Sequence, residues 1–247
     1  MDLESVNKIA VVGAGTMGPG LAQVFASAGH PVALYSRSGE TLEKALSITA
    51  VNLETFVRNG LLPAEDVAAI LARITPTRSL AEAGLDASLV IETIAENVDA
   101  KRAVFAELDD VCPEDTVFTS NTSYLDIYDL VPERRLPATV IAHWFAPPQI
   151  IPLVEVVKGA GTSQETVDLV VALLAKVGRV PVVMEKFVPG FCINRLLRII
   201  GREVFFLLDN GYMTAEQLDL AVKASIIPRA MVLGLSLIHI SEPTRPY

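Results

Sequence analysis

The sequence predicts an α/β fold in which a mostly parallel, doubly wound sheet is followed by the start of an all-helical second domain. Three observations support this fold class. Up to about residue 184, short apolar runs rich in β-branched residues alternate with longer segments of helical periodicity. A glycine-rich turn joins the first apolar run to the first helical segment. After residue 188 the pattern changes to consecutive helices without strands.

The apolar runs, which alternate with the helical segments, predict the strands of a largely parallel sheet. They span residues 8–12, 32–35, 89–93, 116–119, 139–142, 153–157 and 180–184. Between these runs, apolar residues recur every three or four positions, which predicts helices. These helices span residues 17–28, 40–58, 64–73, 100–108 and 164–177.

The chain is expected to contain two domains, residues 1–187 and residues 188–234. The second domain begins with a helix over residues 191–210, which Gly211 ends. A capping box formed by Thr214 and Gln217 then opens another helix.

The last segment, residues 235–247, departs abruptly from the preceding pattern. We interpret it as the in-frame translation of a sequencing adapter and therefore exclude His239 as a functional residue. On this interpretation the natural helical domain continues beyond Gly234.

Composition limits the class of protein. The 247 residues include 20 Lys and Arg against 29 Asp and Glu, a net charge of −9, which argues against a nucleic-acid partner. Two cysteines without paired spacing and three histidines argue against a disulfide scaffold or a metal site. The sequence shows no secretory signal and no apolar run of membrane-spanning length. We therefore expect a cytoplasmic protein that binds neither a membrane nor a metal.

A G-x-G-x-x-G motif stands directly between the first predicted strand and the first predicted helix. Its glycines are Gly13, Gly15 and Gly18. In a Rossmann-type fold, the first glycine permits the tight turn, the second lets backbone approach a pyrophosphate, and the third allows close packing of helix on strand. The helix N-terminus faces the anion. We predict a dinucleotide site that also includes the turn residues Thr16 and Met17.

The residues after the second predicted strand bear on which dinucleotide binds. A carboxylate is expected there for NAD, because it binds the adenosine 2′-hydroxyl. This sequence has Ser36 and Arg37 instead. The Arg37 guanidinium can hold a 2′-phosphate through charge-assisted hydrogen bonds, or it can stack on the adenine or point into water. The cofactor prediction is accordingly NAD or NADP.

Several further segments together resemble the 3-hydroxyacyl-CoA dehydrogenase family. They cover residues 92–101, 120–123, 143–148, 153–155 and 190–197, in the order and at the spacing of that family. The resemblance implies reversible NAD-linked oxidation of an L-3-hydroxyacyl-CoA to the 3-oxo thioester, a reaction of fatty acid metabolism. It also implies an acyl-CoA substrate and a homodimer formed through the helical domain.

Within these segments, His143 and Glu155 make chemical sense from the residues alone. Oxidation of a secondary alcohol needs a base that takes the hydroxyl proton as hydride leaves the carbon, and an imidazole can do this near neutral pH. Glu155 interrupts an apolar run, where an unpaired carboxylate would be costly. We predict that Glu155 orients His143. The alternative is that Glu155 is exposed at a strand end and that His143 is a core residue whose ring nitrogens are hydrogen-bonded within the protein.

The resemblance assigns roles to four more residues. Ser123 and Asn194 would bind the reacting oxygen of the substrate, whereas Glu96 and Lys101 would contact the ribose on the nicotinamide side. The local sequence allows simpler interpretations of each. Ser123 can belong to a turn, Asn194 can start a helix, and Glu96 with Lys101 can form a surface ion pair.

The family sequence His-Phe-Phe-Asn-Pro is replaced by His143-Trp-Phe-Ala146-Pro. The segment 147–155 is also similar to the branch of the family that contains L-gulonate 3-dehydrogenase and λ-crystallin. Three hypotheses follow. The chain is an NAD(P)-dependent 3-hydroxyacyl-CoA dehydrogenase, a CoA-free 3-hydroxy acid dehydrogenase of the L-gulonate or carnitine type, or a catalytically silent, crystallin-like nucleotide-binding protein. The complete set of predicted catalytic residues favours an enzyme.

Overall fold

The structure is a computed structural model that describes residues 2–240, with side chains to residue 236. The chain divides into two units, Met1–Phe191 and Cys192–Tyr247. The change of sequence pattern at residue 188 lies just before this division.

One eight-stranded sheet forms the centre of the first unit. Its strands are β1 (Lys8–Val12), β2 (Val32–Tyr35), β3 (Ile74–Thr77), β4 (Ala87–Glu92), β5 (Val117–Ser120), β6 (Thr139–Trp144), β7 (Leu153–Val157) and β8 (Val180–Met184). Their order along the sheet is β3-β2-β1-β4-β5-β6-β7-β8. Neighbouring strands are parallel except for the antiparallel pair β6 and β7. The predicted doubly wound, mostly parallel fold is thereby confirmed.

Helices cover both faces of this sheet. They are α1 (Gly18–Ser27), α2 (Gly39–Arg58), α3 (Asp66–Ala72), α4 (Leu80–Gly84), α5 (Val98–Val111) and α6 (Gln164–Lys176). The pleat of β1 shows how the core is divided, because Val11 packs into one apolar cluster and Val12 into the other. The first cluster includes Phe25 of α1, and the second includes Phe105 of α5.

Two elements of the first unit were missed by sequence reasoning. Strand β3 lies at the edge of the sheet and contains Pro76, which an edge strand tolerates because its missing N–H would face away from the ladder. Helix α4 has five residues, too few to show a helical period. Helix α5 is longer than predicted at both ends, and the Asn97 side chain accepts a hydrogen bond from the Ala100 amide to cap it.

The second unit contains α7 (Ile193–Asp209), α8 (Ala215–Ala221) and α9 (Ile227–Ile240). The Thr214 hydroxyl accepts a hydrogen bond from the Gln217 amide at 3.3 Å, as expected for the predicted cap of α8. Gly234 interrupts α9 with a non-helical backbone. Residues 241–247 and the side chain of His239 lie outside the described residues, so the adapter interpretation of residues 235–247 stays a prediction.

Candidate active site

The parallel strands β4, β5 and β6 end side by side at one edge of the sheet. Asn121, which follows β5, connects their three ends. Its Nδ2 donates to Thr93 Oγ1 at 3.2 Å, and its Oδ1 accepts from the Trp144 amide at 2.8 Å. Its own amide donates to the Glu92 carbonyl. Sequence reasoning gave Asn121 no role, although it fixes the end of β6, which carries the predicted base.

The glycine-rich turn lies at this same edge and has the geometry that a dinucleotide requires. Gly13 has φ +124°, and a Cβ atom at this position would lie 2.5 Å from the Thr93 carbonyl oxygen. A Cβ at Gly18 would collide with the Gly13 carbonyl oxygen. By contrast, a Cβ at Gly15 would meet nothing within 4 Å. The backbone at Gly15 is therefore open to a ligand.

Two further features show that this turn fits a dinucleotide. A cavity of about 440 Å³ borders Gly15 and Thr16 on one side and Thr41 and Lys44 of α2 on the other. The N-cap residue of α1, Met17, makes no side-chain hydrogen bond to the first turn of the helix. The N–H groups of that turn can therefore be satisfied by the phosphates of a cofactor.

The end of β2 presents the two residues that bear on the adenosine ribose. Ser36 is half-buried, and its hydroxyl accepts a hydrogen bond from the Ser38 amide at 3.3 Å. Arg37 has an exposed side chain, and its carbonyl oxygen accepts a hydrogen bond from Arg78 Nε at 3.2 Å. Arg78 therefore brings a second cation beside Arg37, which the sequence did not reveal because the two residues are 41 positions apart.

The structure brings His143 and Glu155 together. They lie directly opposite each other in the antiparallel pair of β6 and β7. Glu155 Oε2 lies 2.8 Å from His143 Nδ1, and the two side chains are only 1% and 5% exposed. A carboxylate at Nδ1 fixes the tautomer in which Nδ1 carries the proton, so that Nε2 is the basic nitrogen.

Aromatic side chains hold the imidazole from two further directions. The ring of Phe145 lies 4.6 Å from that of His143, and the ring of Phe191 lies 5.1 Å away. Phe191 is fully buried and has φ +48°, a backbone conformation that a bulky residue rarely adopts. Trp144 points to the other face of the sheet, where it packs against Phe25 in the core.

The β6–β7 loop, which follows His143, packs against α1, the helix that begins at the glycine-rich turn. A Cβ atom at Gly20 of α1 would lie 2.6 Å from the Pro148 side chain and would collide with Gln149. Close packing between α1 and the β6–β7 loop therefore requires glycine at position 20. Sequence reasoning assigned Gly20 no role, yet it lies two residues after the recognised motif.

Ser123 lies in a loop after β5 that Glu96 organises. Glu96 Oε1 accepts hydrogen bonds from Thr122 Oγ1 at 2.5 Å, from the Ser123 amide at 2.8 Å and from the Tyr124 amide at 3.1 Å. Burial alone would raise the pKa of the Glu96 carboxyl. The Thr122 hydroxyl, the Lys101 charge and the two amides outweigh this effect and lower that pKa below its ordinary value. Glu96 is therefore an ionised anchor of the loop.

Lys101 is buried rather than exposed to a ligand. Its side chain is 1% exposed, and its Nζ lies 2.6 Å from Glu92 Oε1 and 3.3 Å from Glu96 Oε2. Sequence reasoning missed Glu92, although this residue ends the apolar run of β4 just as Glu155 interrupts that of β7. The predicted contacts of Glu96 and Lys101 with the cofactor stay predictions.

Asn194 is the second residue of α7 and belongs to the second unit. Its predicted role, like the roles of Ser123 and His143, stays a prediction. Ala146, which stands where the family has asparagine, is joined to Pro147 by a cis peptide bond.

Among residues 2–236, no group of three or more His, Cys, Asp or Glu side chains is arranged to hold a metal ion. In the same range, no helix has both the length and the apolar character needed to cross a membrane.

The fold and this site define a class of protein, the NAD-dependent oxidoreductases. A family model described as "3-hydroxyacyl-CoA dehydrogenase, NAD binding domain" matches residues 8–187. The chain belongs to the 3-hydroxyacyl-CoA dehydrogenase family, as the sequence motifs indicate.

Three relatives show the range of this family. A 3-hydroxybutyryl-CoA dehydrogenase from Clostridioides difficile is 37% identical over 217 residues, which are 87% of this chain and 76% of the relative. An L-carnitine dehydrogenase from Streptomyces griseus is 34% identical and aligns with 94% of this chain and 68% of the relative. The crystal structure of an NAD⁺-dependent 5-formyl-3-hydroxy-2-methylpyridine 4-carboxylic acid 5-dehydrogenase has a TM-score of 0.83 and 33% identity, covering 94% of this chain and 75% of that one.

Proposed function

We propose that the chain catalyses reversible hydride transfer between an L-3-hydroxyacyl-CoA and NAD or NADP, with His143 as the base. The observation that carries this proposal is the buried pair of His143 and Glu155, 2.8 Å apart, at the sheet edge that also holds the glycine-rich turn. The residue that would accept the proton and the turn that would hold the dinucleotide therefore lie at the same edge of the sheet.

The protein supplies the proton chemistry. His143 Nε2 takes the proton of the 3-hydroxyl group, because Glu155 keeps the proton of Nδ1 in place and stabilises the imidazolium that forms. When bound, the nicotinamide supplies a hydride acceptor in the oxidative direction and a hydride donor in the reductive one. The Ser123 hydroxyl and the Asn194 amide donate hydrogen bonds to the substrate oxygen, which favours the negative charge that develops there during reduction.

A CoA thioester is the substrate class that the C. difficile relative supports by name. A second candidate is a CoA-free 3-hydroxy acid. The similarity of segment 147–155 to the branch of the family that contains L-gulonate 3-dehydrogenase favours it, and the family's asparagine is replaced by Ala146 just before that segment. The aligned L-carnitine dehydrogenase shows that members of the family with comparable identity have names without CoA.

Initial rates separate these candidates. Acetoacetyl-CoA reduction with NADH and with NADPH is measured beside the NAD⁺-dependent oxidation of L-gulonate and of carnitine. Fast reduction of acetoacetyl-CoA supports the proposal, whereas turnover of only a CoA-free acid supports the second candidate. Cofactor binding without turnover of any substrate would indicate the catalytically silent alternative.

We further propose that the helical unit forms a homodimer and that the protein acts in the cytoplasm. Helices α7 and α8 bury none of their residues, and Phe205 of α7 is 65% exposed. Exposed apolar side chains of this kind mark a surface that packs against another chain or another segment. Light scattering after size exclusion measures the mass and distinguishes a dimer from a monomer.

A further inference from the structure

A chain of charged side chains connects the end of β4 to the loop that carries Ser123. Glu92 is fully buried and pairs with Lys101, which is buried as well. Lys101 is shared with Glu96, and the Oε1 atom of Glu96 accepts all three of its hydrogen bonds from residues 122–124. The ammonium of Lys101 therefore links a buried carboxylate to the carboxylate that holds the loop.

A second, shorter route connects Glu92 to the same loop. The Ser120 hydroxyl donates to Glu92 Oε2 at 2.5 Å and accepts a hydrogen bond from the Thr122 amide at 3.2 Å. Glu92 Oε1 also accepts a hydrogen bond from the Ile94 amide, and this bond fixes the chain at the end of β4. Two routes that leave Glu92 through different oxygens thus converge on the residues around Ser123.

Burial of this many charges needs a reason beyond stability. A buried ion pair seldom stabilises a protein more than apolar residues of the same shape, because both charges lose their hydration. Here two carboxylates surround one ammonium, and the outer carboxylate contacts the loop rather than the core. Such a network fixes geometry, because each member has one arrangement that satisfies its partners.

We propose that Glu92 and Lys101 are positioning residues that hold the Ser123 hydroxyl in place for the reacting oxygen of the substrate. They act through Glu96 and Ser120 and need not touch the cofactor. This inference rests on the proposed function, because that function gives Ser123 its role. It differs from the family assignment, which places Lys101 at the ribose of the cofactor.

The test is a set of charge-removing variants with separate readouts for substrate and cofactor. In Lys101→Met and Glu92→Gln, we expect kcat/KM for the acyl substrate to fall about 10- to 100-fold, because small displacements of a substrate-binding group have effects of this size. The dissociation constant of NADH, measured by fluorescence titration, should change less than about twofold. A rise in that constant with unchanged substrate kinetics would assign Lys101 to the cofactor and overturn the proposal.

Two controls separate positioning from loss of the fold. Removing one partner of a buried pair destabilises the protein, whereas removing both charges costs less. The double variant Glu92→Gln with Lys101→Met should therefore melt closer to the parent while retaining the kinetic defect. Arg102→Met removes a cation from the next position of α5, where the side chain is exposed and pairs with Asp99 at 3.4 Å. This variant should keep the parent values for substrate and cofactor.

Amide hydrogen exchange tests the same inference without turnover. Exchange in a peptide covering residues 120–126 should accelerate in the double variant, because Glu96, which accepts hydrogen bonds from the Ser123 and Tyr124 amides, loses its ion pair with Lys101. Exchange should stay unchanged in Arg102→Met. Unchanged exchange in the double variant would overturn the inference. If the parent chain turns over no substrate while exchange accelerates as expected, the proposed function fails and the role of Glu92 and Lys101 in holding the loop stands.

Discussion

The candidate site has two halves that differ in how far the protein itself holds them in place. In the proton-transfer half, defined by His143, Glu155 and Phe191, the side chains are buried, and His143 contacts both of the others. In the nucleotide half, defined by Gly15 and Arg37, the backbone is open on one side and the arginine side chain is exposed. The first half is complete without a ligand, whereas the second presents groups that a ligand would satisfy.

This difference predicts what substitutions in each half should do. A change in the proton-transfer half removes a group that is already in position, so it should act on the rate of the chemical step. A change in the nucleotide half removes a group that makes its contacts only when the cofactor binds. It should therefore act on cofactor affinity and on the preference between NAD and NADP.

His143→Ala should have the largest effect, because it removes the base. We expect kcat to fall about 10²- to 10⁴-fold, the usual contribution of a positioned general base, while the dissociation constant of NADH stays near the parent value. Steady-state kinetics and fluorescence titration measure the two quantities. The matched control is His30→Ala, because His30 is half-buried and lies after α1, outside the site. Retention of near-parental kcat in His143→Ala would remove this residue from the mechanism.

Glu155→Gln should have the next largest effect. The amide keeps the shape of the side chain but can donate a hydrogen bond to Nδ1, which favours the tautomer with the proton on Nε2. We expect kcat to fall about 10- to 100-fold, as for other groups that orient an imidazole. Steady-state kinetics measure kcat of the variant and the parent. An unchanged kcat would show that Glu155 serves only the packing of β7.

Two glycine variants compare protein contacts with ligand contacts directly. Gly13→Ala places a methyl group against the Thr93 carbonyl oxygen at a left-handed φ, so it should lower the free energy of unfolding by about 1–3 kcal/mol. Gly15→Ala meets no protein atom within 4 Å, so its melting temperature should equal that of the parent. Its affinity for NADH should nevertheless fall about tenfold, or about 1.4 kcal/mol. Unchanged affinity in Gly15→Ala would mean that the cofactor does not approach this backbone.

The fold was largely predictable because short apolar runs mark most strands of the sheet. Strands β1, β2, β7 and β8 have the predicted bounds, and apart from Lys8, Glu155 and Pro181 they consist of apolar residues. Strand β3 was missed because an edge position tolerates Thr75 and Pro76, which break such a run. Of the two edge strands, β8 was predicted from its apolar run and β3 was missed, so local pattern finds a strand where its residues are apolar, whatever its position in the sheet.

The site was predictable only where a single residue contradicted its surroundings. Glu155 stands out within an apolar strand, and the structure pairs it with His143 as expected. Glu92 carries the same signal, but its meaning depends on Lys101, a residue of the following helix that sequence reasoning assigned to the surface or the cofactor. The position of Arg78 beside Arg37 was not predictable, because it depends on how β2 and β3 align in the folded sheet.

Arg37 and Arg78 should have the smallest effects, confined to the choice of cofactor. Both cations lie at the end of β2, where the adenosine ribose of a dinucleotide binds in folds of this type. A 2′-phosphate would gain charge-assisted hydrogen bonds from them, whereas a 2′-hydroxyl would gain little. We expect Arg37→Ala to lower the ratio of kcat/KM with NADPH to kcat/KM with NADH about tenfold. Arg78→Ala should lower that ratio about threefold, because its Nε already donates to the Arg37 carbonyl oxygen.

The matched control for both variants is Arg58→Ala, at the far end of α2, where the guanidinium bonds to Thr55. This variant should leave the ratio unchanged, because it removes the same charge away from the end of β2. If Arg37→Ala leaves the ratio unchanged as well, its guanidinium stacks on the adenine or points into water, and the nucleotide half does not select between the two cofactors through this residue. A fall of the ratio in Arg37→Ala alone would show that Arg78 supports the backbone of residue 37 without contacting the phosphate.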